Sequence, residues 1–170
     1  MALNALMKIS NATGESKNKD FPEYIELQGW DWECECESSW TKGGGASVGK
    51  PNPGKFNWEH YFDSSSTVLL KYLCSGQAFD KVELVMQKGT GGSDGQKVFF
   101  QMLMGSAFIT KVSNSATDEG NVVQKVEMVF KEVEFHYFQQ DDKTGKLIKE
   151  KTFGWHIPSG RLDAKFGTSG

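Results

Sequence analysis

Residues 121–140 alternate apolar and polar side chains with a period of two, and the phase of this alternation changes once. Val126, Met128 and Phe130 occupy even positions, whereas Val133, Phe135 and Tyr137 occupy odd positions. A period of two indicates a β-strand with one buried face. Because a slip of one residue turns every side chain to the opposite face, the sequence predicts a bulge or a break in the ladder between Phe130 and Val133. Such strands close small barrels or pass from one sheet to another.

The composition favours a β protein with one domain. The chain has 170 residues, of which 12% are aromatic and 19 are glycine, and its apolar runs are short and interrupted by turn residues. A net charge of −3 gives no general attraction to nucleic acid or to anionic membranes. No stretch approaches the roughly 20 apolar residues of a membrane span. We expect a single domain over residues 1–158 and a loose tail over residues 159–170.

Local patterns predict the remaining elements. A helix is expected over residues 63–76, with a serine N-cap and Gly76 as its end. Asp94-Gly95 indicates a hairpin turn, and Gly105 is expected to kink the long strand that contains it. The other strands are predicted over residues 3–9, 24–27, 78–88, 98–112 and 147–157.

Residues 30–37, WDWECECE, show the most regular alternation in the chain. This pattern predicts one strand with tryptophans and cysteines on one face and carboxylates on the other. The carboxylate residues are Asp31, Glu33, Glu35 and Glu37. Like charges repel along a strand unless water or salt screens them, so the acidic face is expected to border solvent or a wet channel. Residues 38–55 follow as a long Gly-, Ser- and Pro-rich loop, and loops of this length are usually functional.

Two groups of side chains could mark a metal or ligand site. Cys34 and Cys36 would point the same way on a strand and could begin a soft-metal site, but the sequence offers no further ligands at a suitable spacing. We expect small buried thiols instead, in a reducing compartment. The tryptophans could line a ligand site, but their scatter favours core or interface positions. They are Trp30, Trp32, Trp40, Trp58 and Trp155.

The glycine loop matches two catalytic patterns out of context. Residues 44–50, GGASVGK, fit the phosphate-loop pattern up to Lys50, yet Pro51 follows where a helix should begin. Ser47 lies at the centre of a G-x-S-x-G sequence, but neither flank predicts the strand–turn–helix geometry that the pattern requires. His60, His136 and His156 follow in the chain, as does Asp63. A ligand-binding or hydrolytic β-barrel that uses residues 44–50 is therefore the alternative function.

Several short segments occur in the order typical of one known family. They are Met7-Lys8-Ile9, Gly14-Glu15-Ser16, residues 25–32 ending in Trp-x-Trp, the glycine loop, Leu73-Cys74-Ser75-Gly76, Val126-x-Met128-x-Phe130 with Val133 and Tyr137, and Gly154-Trp155-His156-Ile157. With this ordered set over residues 3–157, the chain resembles the haemolysin-coregulated protein family, which forms the tube of the bacterial type VI secretion system.

The resemblance implies both a fold and a function. The expected fold is mainly β: a compact antiparallel β-barrel of two sheets with one short flanking helix and a long extended loop. The family forms homohexameric rings that stack into a hollow tube, which a contractile sheath drives with its spike protein into a neighbouring cell in virulence or competition. Small secreted effectors travel inside the ring. The resemblance implies that the protein has no enzyme activity, needs no cofactor, binds no nucleic acid and does not insert into a membrane. It also implies that the protein assembles in the cytoplasm and is secreted without a cleaved signal peptide.

The resemblance also assigns roles to particular residues. The residue between the paired tryptophans faces the channel in the family, so Asp31, together with Glu33 and Glu35, is expected to face an acidic lumen that favours basic cargo. The extended loop contacts neighbouring subunits or the next ring. Its residues here are Lys42, Gly43, Gly44, Gly45, Ser47, Lys50 and Lys55. The Cys-x-Cys pair and the density of glutamates at residues 33–37 depart from a typical member.

Overall fold

The structure is a computed structural model that describes residues 4–45, 47–89, 95–163 and 165, and it consists mainly of β-strands. The elements in chain order are β1 Ala5–Ile9, β2 Ile25–Asp31, β3 Cys34–Glu35, β4 Asn52–Pro53, β5 Phe56–Tyr61, helix α1 Ser66–Ser75, β6 Phe79–Gly89, β7 Gln96–Ala116, β8 Val122–Val129, β9 Glu132–Gln140, β10 Leu147–His156 and β11 Arg161–Leu162. The turn predicted at Asp94-Gly95 falls partly outside the described residues, since Asp94 is among those not described.

The strands form an antiparallel barrel with a lateral extension. Six of them follow the order β7-β6-β1-β2-β5-β8, and the pairing of β7 with β8 closes the barrel. On the edge of β7 opposite β6, the first half of the strand pairs with β9, which is followed by β10 and β11. A separate small sheet joins β3 to β4. The mainly β barrel with one flanking helix confirms the predicted fold class.

The phase change near Lys131 is a break between two strands, as the sequence predicts. β8 ends at Val129 and β9 begins at Glu132, and the two strands pair with successive halves of the same edge of β7. The backbone N–H of Lys131 donates to the carbonyl of Gly105 at 3.0 Å, so the crossing residue remains tied to β7. The slip in the sequence therefore marks the point where the chain leaves the barrel wall for the extension.

The long strand β7 bends where it changes partners. Its first half pairs with β9 as far as Gly105, and its second half pairs with β8 from Phe108 onward. Ser106 has a φ of 51°, a left-handed conformation that non-glycine residues rarely adopt. The bend predicted at Gly105 is thus present, but the left-handed backbone falls on the next residue.

Aromatic side chains fill much of the core. Trp30 stacks between Phe56 and Phe100, with ring centroids 5.7 and 5.6 Å apart, respectively. The indole of Trp32 packs against Phe130 and Phe135 at 5.7 and 5.8 Å. Trp58 and Trp155 are buried, whereas Trp30 and Trp32 are partly buried. Four of the five tryptophans therefore hold the barrel together, which agrees with the predicted core role.

The helix α1 forms where the sequence predicts it. Ser65 is its N-cap, and Gly76 ends it with a φ of 69°, which a residue without Cβ adopts at low cost. Leu69 is fully buried, and the ring of Tyr72 stacks on that of Phe79 with centroids 4.1 Å apart. These contacts dock the apolar face of the helix on the barrel.

Three expectations need correction. Residues 30–37 do not form one strand: β2 ends at Asp31, and β3 is a two-residue strand in the small sheet. The thiols expected to be buried are exposed at Cys34 and Cys36, as is Cys74. Within the segment predicted as a loose tail, β11 pairs with β10. The alternation in residues 30–37 failed as a guide because no second layer covers the chain beyond Trp32.

Candidate functional site

The outer face of β2, β5 and β8 carries a shallow open depression of about 360 Å³. Asp31 lies here at the end of β2, and its Oδ2 accepts a hydrogen bond of 3.0 Å from Nδ2 of Asn57 on β5. Glu59 and Glu127 are also in the lining. The polar residues of β5 and β8 face outward because their neighbours in the sequence point into the core, for example Trp58.

Lysines partly neutralise this outer face. Nζ of Lys55 lies 3.3 Å from Oε2 of Glu127, and Nζ of Lys125 lies 3.9 Å from Oε2 of Glu59. With Asp31, the face carries three carboxylates against two ammonium groups, a net charge of −1. This balance is not visible in the sequence, because the two lysines lie far from residues 30–37 along the chain.

Residues 33–45 and 47–54 belong to a two-stranded hairpin that projects from the barrel, and we call this segment the arm. The N–H of Gly54 donates to the carbonyl of Glu33 at 2.8 Å, and the N–H of Gly49 donates to the carbonyl of Glu37 at 2.7 Å. A Cβ on Gly49 would lie 3.0 Å from the carbonyl oxygen of Glu37, and a Cβ on Gly54 would lie 3.0 Å from that of Glu33. The two glycines therefore allow the strands of the arm to approach each other closely. At its root, Nε1 of Trp32 donates to the carbonyl of Gly54 at 3.1 Å, which fastens the arm to the core.

The tip of the arm is an ordered turn rather than an open loop. The hydroxyls of Ser39 and Ser47 lie 2.9 Å apart, and the N–H of Ser47 donates to Oγ of Ser39 at 3.0 Å. Gly44 and Gly45 adopt φ angles of 114° and 113°, which explains part of the glycine content. The tip exposes an indole, since Trp40 is 73% accessible.

The residues expected to form an interface loop are divided between two places. Lys55 lies just before β5, where its ammonium group pairs with Glu127 on the outer face. The others belong to the arm and are exposed; they are Lys42, Gly43, Gly44, Gly45, Ser47 and Lys50. Glu35 lies in β3 of the arm, and Glu33 lies at its root, so neither extends the strand that carries Asp31.

The cysteines of the arm form an exposed pair. Sγ of Cys36 donates to the carbonyl of Gly49 at 2.7 Å. Partial burial, together with the charges of Cys36 and Glu35, raises the pKa of Cys34 above its ordinary value, so this thiol stays protonated at neutral pH. Among the described residues, no group of three or more His, Cys, Asp or Glu side chains is arranged to hold a metal ion.

Neither catalytic pattern of the glycine loop has its required surroundings. Ser47 pairs with Ser39, and the histidine at residue 60 is buried in the core instead of lying beside this hydroxyl. Lys50 leads into β4 rather than into a helix. The nucleophile-elbow and phosphate-loop geometries are both different from this hairpin.

A buried polar network, which was not predicted from the sequence, joins β5, β8 and α1. Nε2 of His60 lies 2.7 Å from Oε1 of Gln124, so the imidazole donates and Nε2 carries the proton. Nε2 of Gln124 donates to Oδ1 of Asn114 at 3.0 Å and to the carbonyl of Ser66 at 3.4 Å. Burial lowers the pKa of His60, which keeps the ring neutral. His60 and Gln124 stand at positions where the strand pattern calls for apolar residues, which is the signal that could have revealed the network.

A second histidine bridges β9 and β10 on the outside of the extension. Nε2 of His136 lies 2.6 Å from Oε1 of Glu134, and Nδ1 lies 2.7 Å from Oε1 of Glu150. Burial lowers the pKa of His136, but the hydrogen bonds and negative charges of both glutamates outweigh it, so the pKa lies above its ordinary value. The protonated ring then ties the two strands together. On the neighbouring strand β7, Gln101 pairs with His136 in the ladder, and its side-chain amide donates a hydrogen bond to Glu83 on β6.

The fold and these surfaces correspond to one known family. The family described as "Type VI secretion system effector, Hcp" matches residues 6–137. "Protein hcp1" of Pseudomonas aeruginosa is 27% identical over 158 residues, which are 92% of this chain and 96% of that protein. The solved structure of Hcp1 from Salmonella typhimurium has a TM-score of 0.75 at 25% identity and covers 95% of this chain and 99% of its own.

A structure described as that of a type six secretion system protein superimposes more closely, with a TM-score of 0.86 over 95% of this chain and 100% of that one. Its 22% identity supports the fold alone. Within the described residues, no helix has the length and apolar character needed to cross a membrane. Because the family match spans most of the sequence, this chain belongs to the haemolysin-coregulated protein (Hcp) family of the type VI secretion system.

Proposed function

We propose that this protein forms hexameric rings that stack into the inner tube of a type VI secretion system. Membership of a family of structural secretion proteins supports this function rather than catalysis. The rings assemble in the bacterial cytoplasm and stack into a tube that carries a spike protein and lies inside a contractile sheath. The tube leaves the cell with the spike, and no signal peptide is cleaved. No cofactor takes part in this function.

The observation that carries the proposal is the projecting arm. Its backbone is ordered by hydrogen bonds to the tip, yet it packs on little of its own chain, and Trp40 and Val48 are 73% and 65% accessible. An ordered segment that leaves large apolar side chains in water gains little stability within a monomer. Contacts with neighbouring copies would bury these groups.

Sizing and imaging test the assembly directly. Native mass spectrometry of the purified protein is expected to give a mass of six chains, and negative-stain electron microscopy is expected to show rings and short stacks. Deletion of residues 39–47, joined by a short Gly-Ser turn, should leave the barrel folded by circular dichroism while reducing stacks. A protein that remains monomeric at every concentration and salt tested contradicts the proposal.

We also propose that the face around Asp31 borders the lumen and contacts basic cargo. Asp31 supplies negative charge in the depression on β2, β5 and β8, where the net charge is only −1, and Glu33 follows two residues later at the root of the arm. Weak, distributed charge of this kind favours reversible retention of an effector over tight binding.

Charge reversal tests the cargo proposal. The Asp31→Lys/Glu33→Lys variant is expected to retain less effector in a pull-down at low salt, and the difference should shrink as salt screens the charges. The Lys17→Glu/Lys19→Glu variant changes exposed charges in the loop before β2 and serves as a control. Retention that is equal in the Asp31→Lys/Glu33→Lys variant and the parent, in rings of normal mass, contradicts a role for these carboxylates.

A further inference from the structure

Strand β10 is weakly anchored over most of its length. Residues 148–153 are exposed, and burial begins only at Gly154 and Trp155. β11 pairs only with Trp155 and His156, so residues 147–153 have β9 on one side and no strand on the other among the described residues. A strand with few buried apolar contacts opens locally at a lower cost than global unfolding. Side-chain contacts between β9 and β10 are therefore important for holding residues 147–153.

One imidazole bridges the two strands in this weakly anchored stretch. Nε2 of His136 lies 2.6 Å from Oε1 of Glu134, and Nδ1 lies 2.7 Å from Oε1 of Glu150. An ionised carboxylate only accepts hydrogen bonds, and a neutral imidazole has a single N–H to donate. Two ionised carboxylates at these distances therefore require a protonated ring, which donates from both nitrogens.

The two carboxylates that bind the ring are not equivalent. Glu134 lies on the same strand as His136 and its side chain is 14% exposed, whereas Glu150 lies on β10 and is 47% exposed. When the ring is neutral, one nitrogen turns a lone pair toward a carboxylate and repels it. Glu150 can turn to water at little cost, while Glu134 would be left poorly solvated. Loss of the proton therefore breaks the contact between the strands and preserves the contact within β9.

The neighbouring strands supply no second charged partner for the ring. Gln101 on β7 and Thr152 on β10 pair with His136 in the two ladders, and both are uncharged. The amide of Gln101 donates to Oε2 of Glu83 on β6 at 2.8 Å, and Oε1 of Glu83 accepts from the hydroxyl of Tyr24 at 2.7 Å. Glu83 is thus bound on both oxygens by groups other than the imidazole.

The end of the described chain adds charges that offset each other. Asp163 and Lys165 line the same depression of about 310 Å³ as the ring of His136, and their charges are opposite in sign. A further titratable ring, His156, lies at the other end of β10, where its Nδ1 is 2.7 Å from Oγ of Ser159. Variants at residue 136 distinguish the effects of the two histidines.

We propose that His136 is a proton-operated latch between β9 and β10. The protonated ring holds Glu150 and keeps residues 147–153 on the extension, and the neutral ring releases Glu150 and lets this stretch open locally. All the groups of the latch belong to one chain, so the inference goes beyond the proposed function and does not depend on assembly.

The direction of the titration determines when the latch is closed. Burial lowers the pKa of His136, but the hydrogen bonds to Glu150 and Glu134 and the charges of both groups outweigh it. The pKa in the folded chain therefore lies above its ordinary value of about 6.5. The bridge is fully present below about pH 6.5 and is lost as the pH rises through the folded pKa.

Hydrogen–deuterium exchange measured by mass spectrometry locates the opening. Protection factors, corrected for the intrinsic pH dependence of amide exchange, are compared between about pH 6 and about pH 9 for residues 147–154 and for the core strand β6. Protection of residues 147–154 is expected to fall roughly two- to tenfold more than that of β6 as the pH rises. Sedimentation velocity checks that the state of assembly is the same at both pH values.

Substitutions at both ends of the bridge separate a latch from a contact that is only structural. His136→Gln carries no charge at either pH and should remove the pH dependence of residues 147–154. Glu150→Gln should also remove it, because an amide donates to a bare ring nitrogen and accepts from a protonated one. Glu119→Gln removes an exposed carboxylate from the turn between β7 and β8 and should keep the pH dependence of the parent.

The outcomes separate this inference from the proposed function. Protection of residues 147–154 that follows β6 at both pH values, or the same pH dependence in the parent and in His136→Gln or Glu150→Gln, overturns the latch. If His136→Gln leaves β10 open at both pH values, Glu150→Gln decides, because its amide keeps the contact. A parent that stays monomeric contradicts the proposed tube alone, and rings of six without the pH response overturn the latch alone.

Discussion

Removal of the Gln124 amide tests how the buried polar network holds α1 and the barrel together. The Gln124→Leu variant keeps a side chain of similar size but loses the hydrogen bonds to His60, to Asn114 and to the carbonyl of Ser66. The imidazole of His60 is fully buried, and its Nδ1 already lacks a partner among the described residues. In the variant, the Nε2–H of His60 loses its 2.7 Å hydrogen bond to Oε1 of Gln124. The nearest other polar atom is Oγ of Ser66, at 3.4 Å.

The cost falls mainly on the imidazole. A buried donor left unsatisfied costs about 1–3 kcal/mol, while Asn114 is exposed and can turn to water. The 3.4 Å contact between Oγ of Ser66 and Nε2 of His60 is too long to replace the lost bond fully. We therefore expect a loss of about 2 kcal/mol in the free energy of unfolding, which lowers Tm by roughly 4–8 °C in a chain of this size.

A double-mutant cycle in denaturant measures the coupling, with all proteins at one concentration because self-association adds to apparent stability. The combined His60→Leu/Gln124→Leu variant removes both polar partners and should be more stable than the sum of the single effects by about 1 kcal/mol or more. The Gln101→Leu control should cost less than about 1 kcal/mol, because Glu83 keeps the hydrogen bond from Tyr24. Additive single effects, or a cost for Gln124→Leu below about 0.5 kcal/mol, would refute the reasoning.

Three further predictions use the same unfolding measurements. Gly14→Ala should lower the free energy of unfolding by about 1–3 kcal/mol, because the added Cβ would meet the carbonyl oxygen of Tyr24 and lie 2.6 Å from the backbone nitrogen of Ile25. Gly43→Ala is the control, since a Cβ there meets nothing within 4 Å. Equal stabilities of the two variants would contradict this difference. Ser106→Gly should stabilise by up to about 1 kcal/mol, since relief of the left-handed backbone exceeds the entropy cost of glycine, and a loss would disprove it. The raised pKa of His136 gives stability that is present below its ordinary value of about 6.5 and is lost as pH rises through the folded pKa, whereas the lowered pKa of His60 costs stability as pH falls below about 6.5. His136→Gln should remove only the loss on the alkaline side, and a parallel shift of the whole pH profile would count against the assignment.

The sequence predicted the path of the chain best where one face of a strand is covered. The alternation through Val126, Met128 and Phe130 indicated the strand, and the slip at Lys131 indicated the break. Burial of one face imposes a strict period of two, so a change of phase marks a bulge or a break in the ladder. The end of the helix at Gly76 was predictable for a similarly local reason, the left-handed conformation of its C-cap.

The same alternation misled where no covering layer exists. Cys34 and Cys36 alternate with glutamates as a buried strand would, yet both thiols are exposed in the arm. The period of two states only that side chains point in opposite directions, and burial requires another element on one side. Residues 38–55 carried no periodicity, so their pairing into a hairpin depended on hydrogen bonds between Glu37 and Gly49 and between Glu33 and Gly54.

The candidate surfaces depend most on contacts that are distant in sequence. Asp31 was identified from its position between two tryptophans, but Lys55 and Lys125, which neutralise its surroundings, lie on other strands. The bridge from His136 to Glu150 likewise depends on the register of β9 against β10. No local pattern encodes a register of this kind, because it follows from the packing of the whole barrel.

By itself, the sequence determined the β class, the short helix, the break at Lys131 and the family resemblance, since these follow from local periodicity, turn chemistry and the order of motifs. The tertiary structure decided which alternating segment is covered, which charges neutralise each other, and that the glycine loop is an ordered arm ending in an exposed Trp40. Burial and ion pairing depend on what lies opposite a residue in space, and in a closed barrel that neighbour comes from a distant part of the chain.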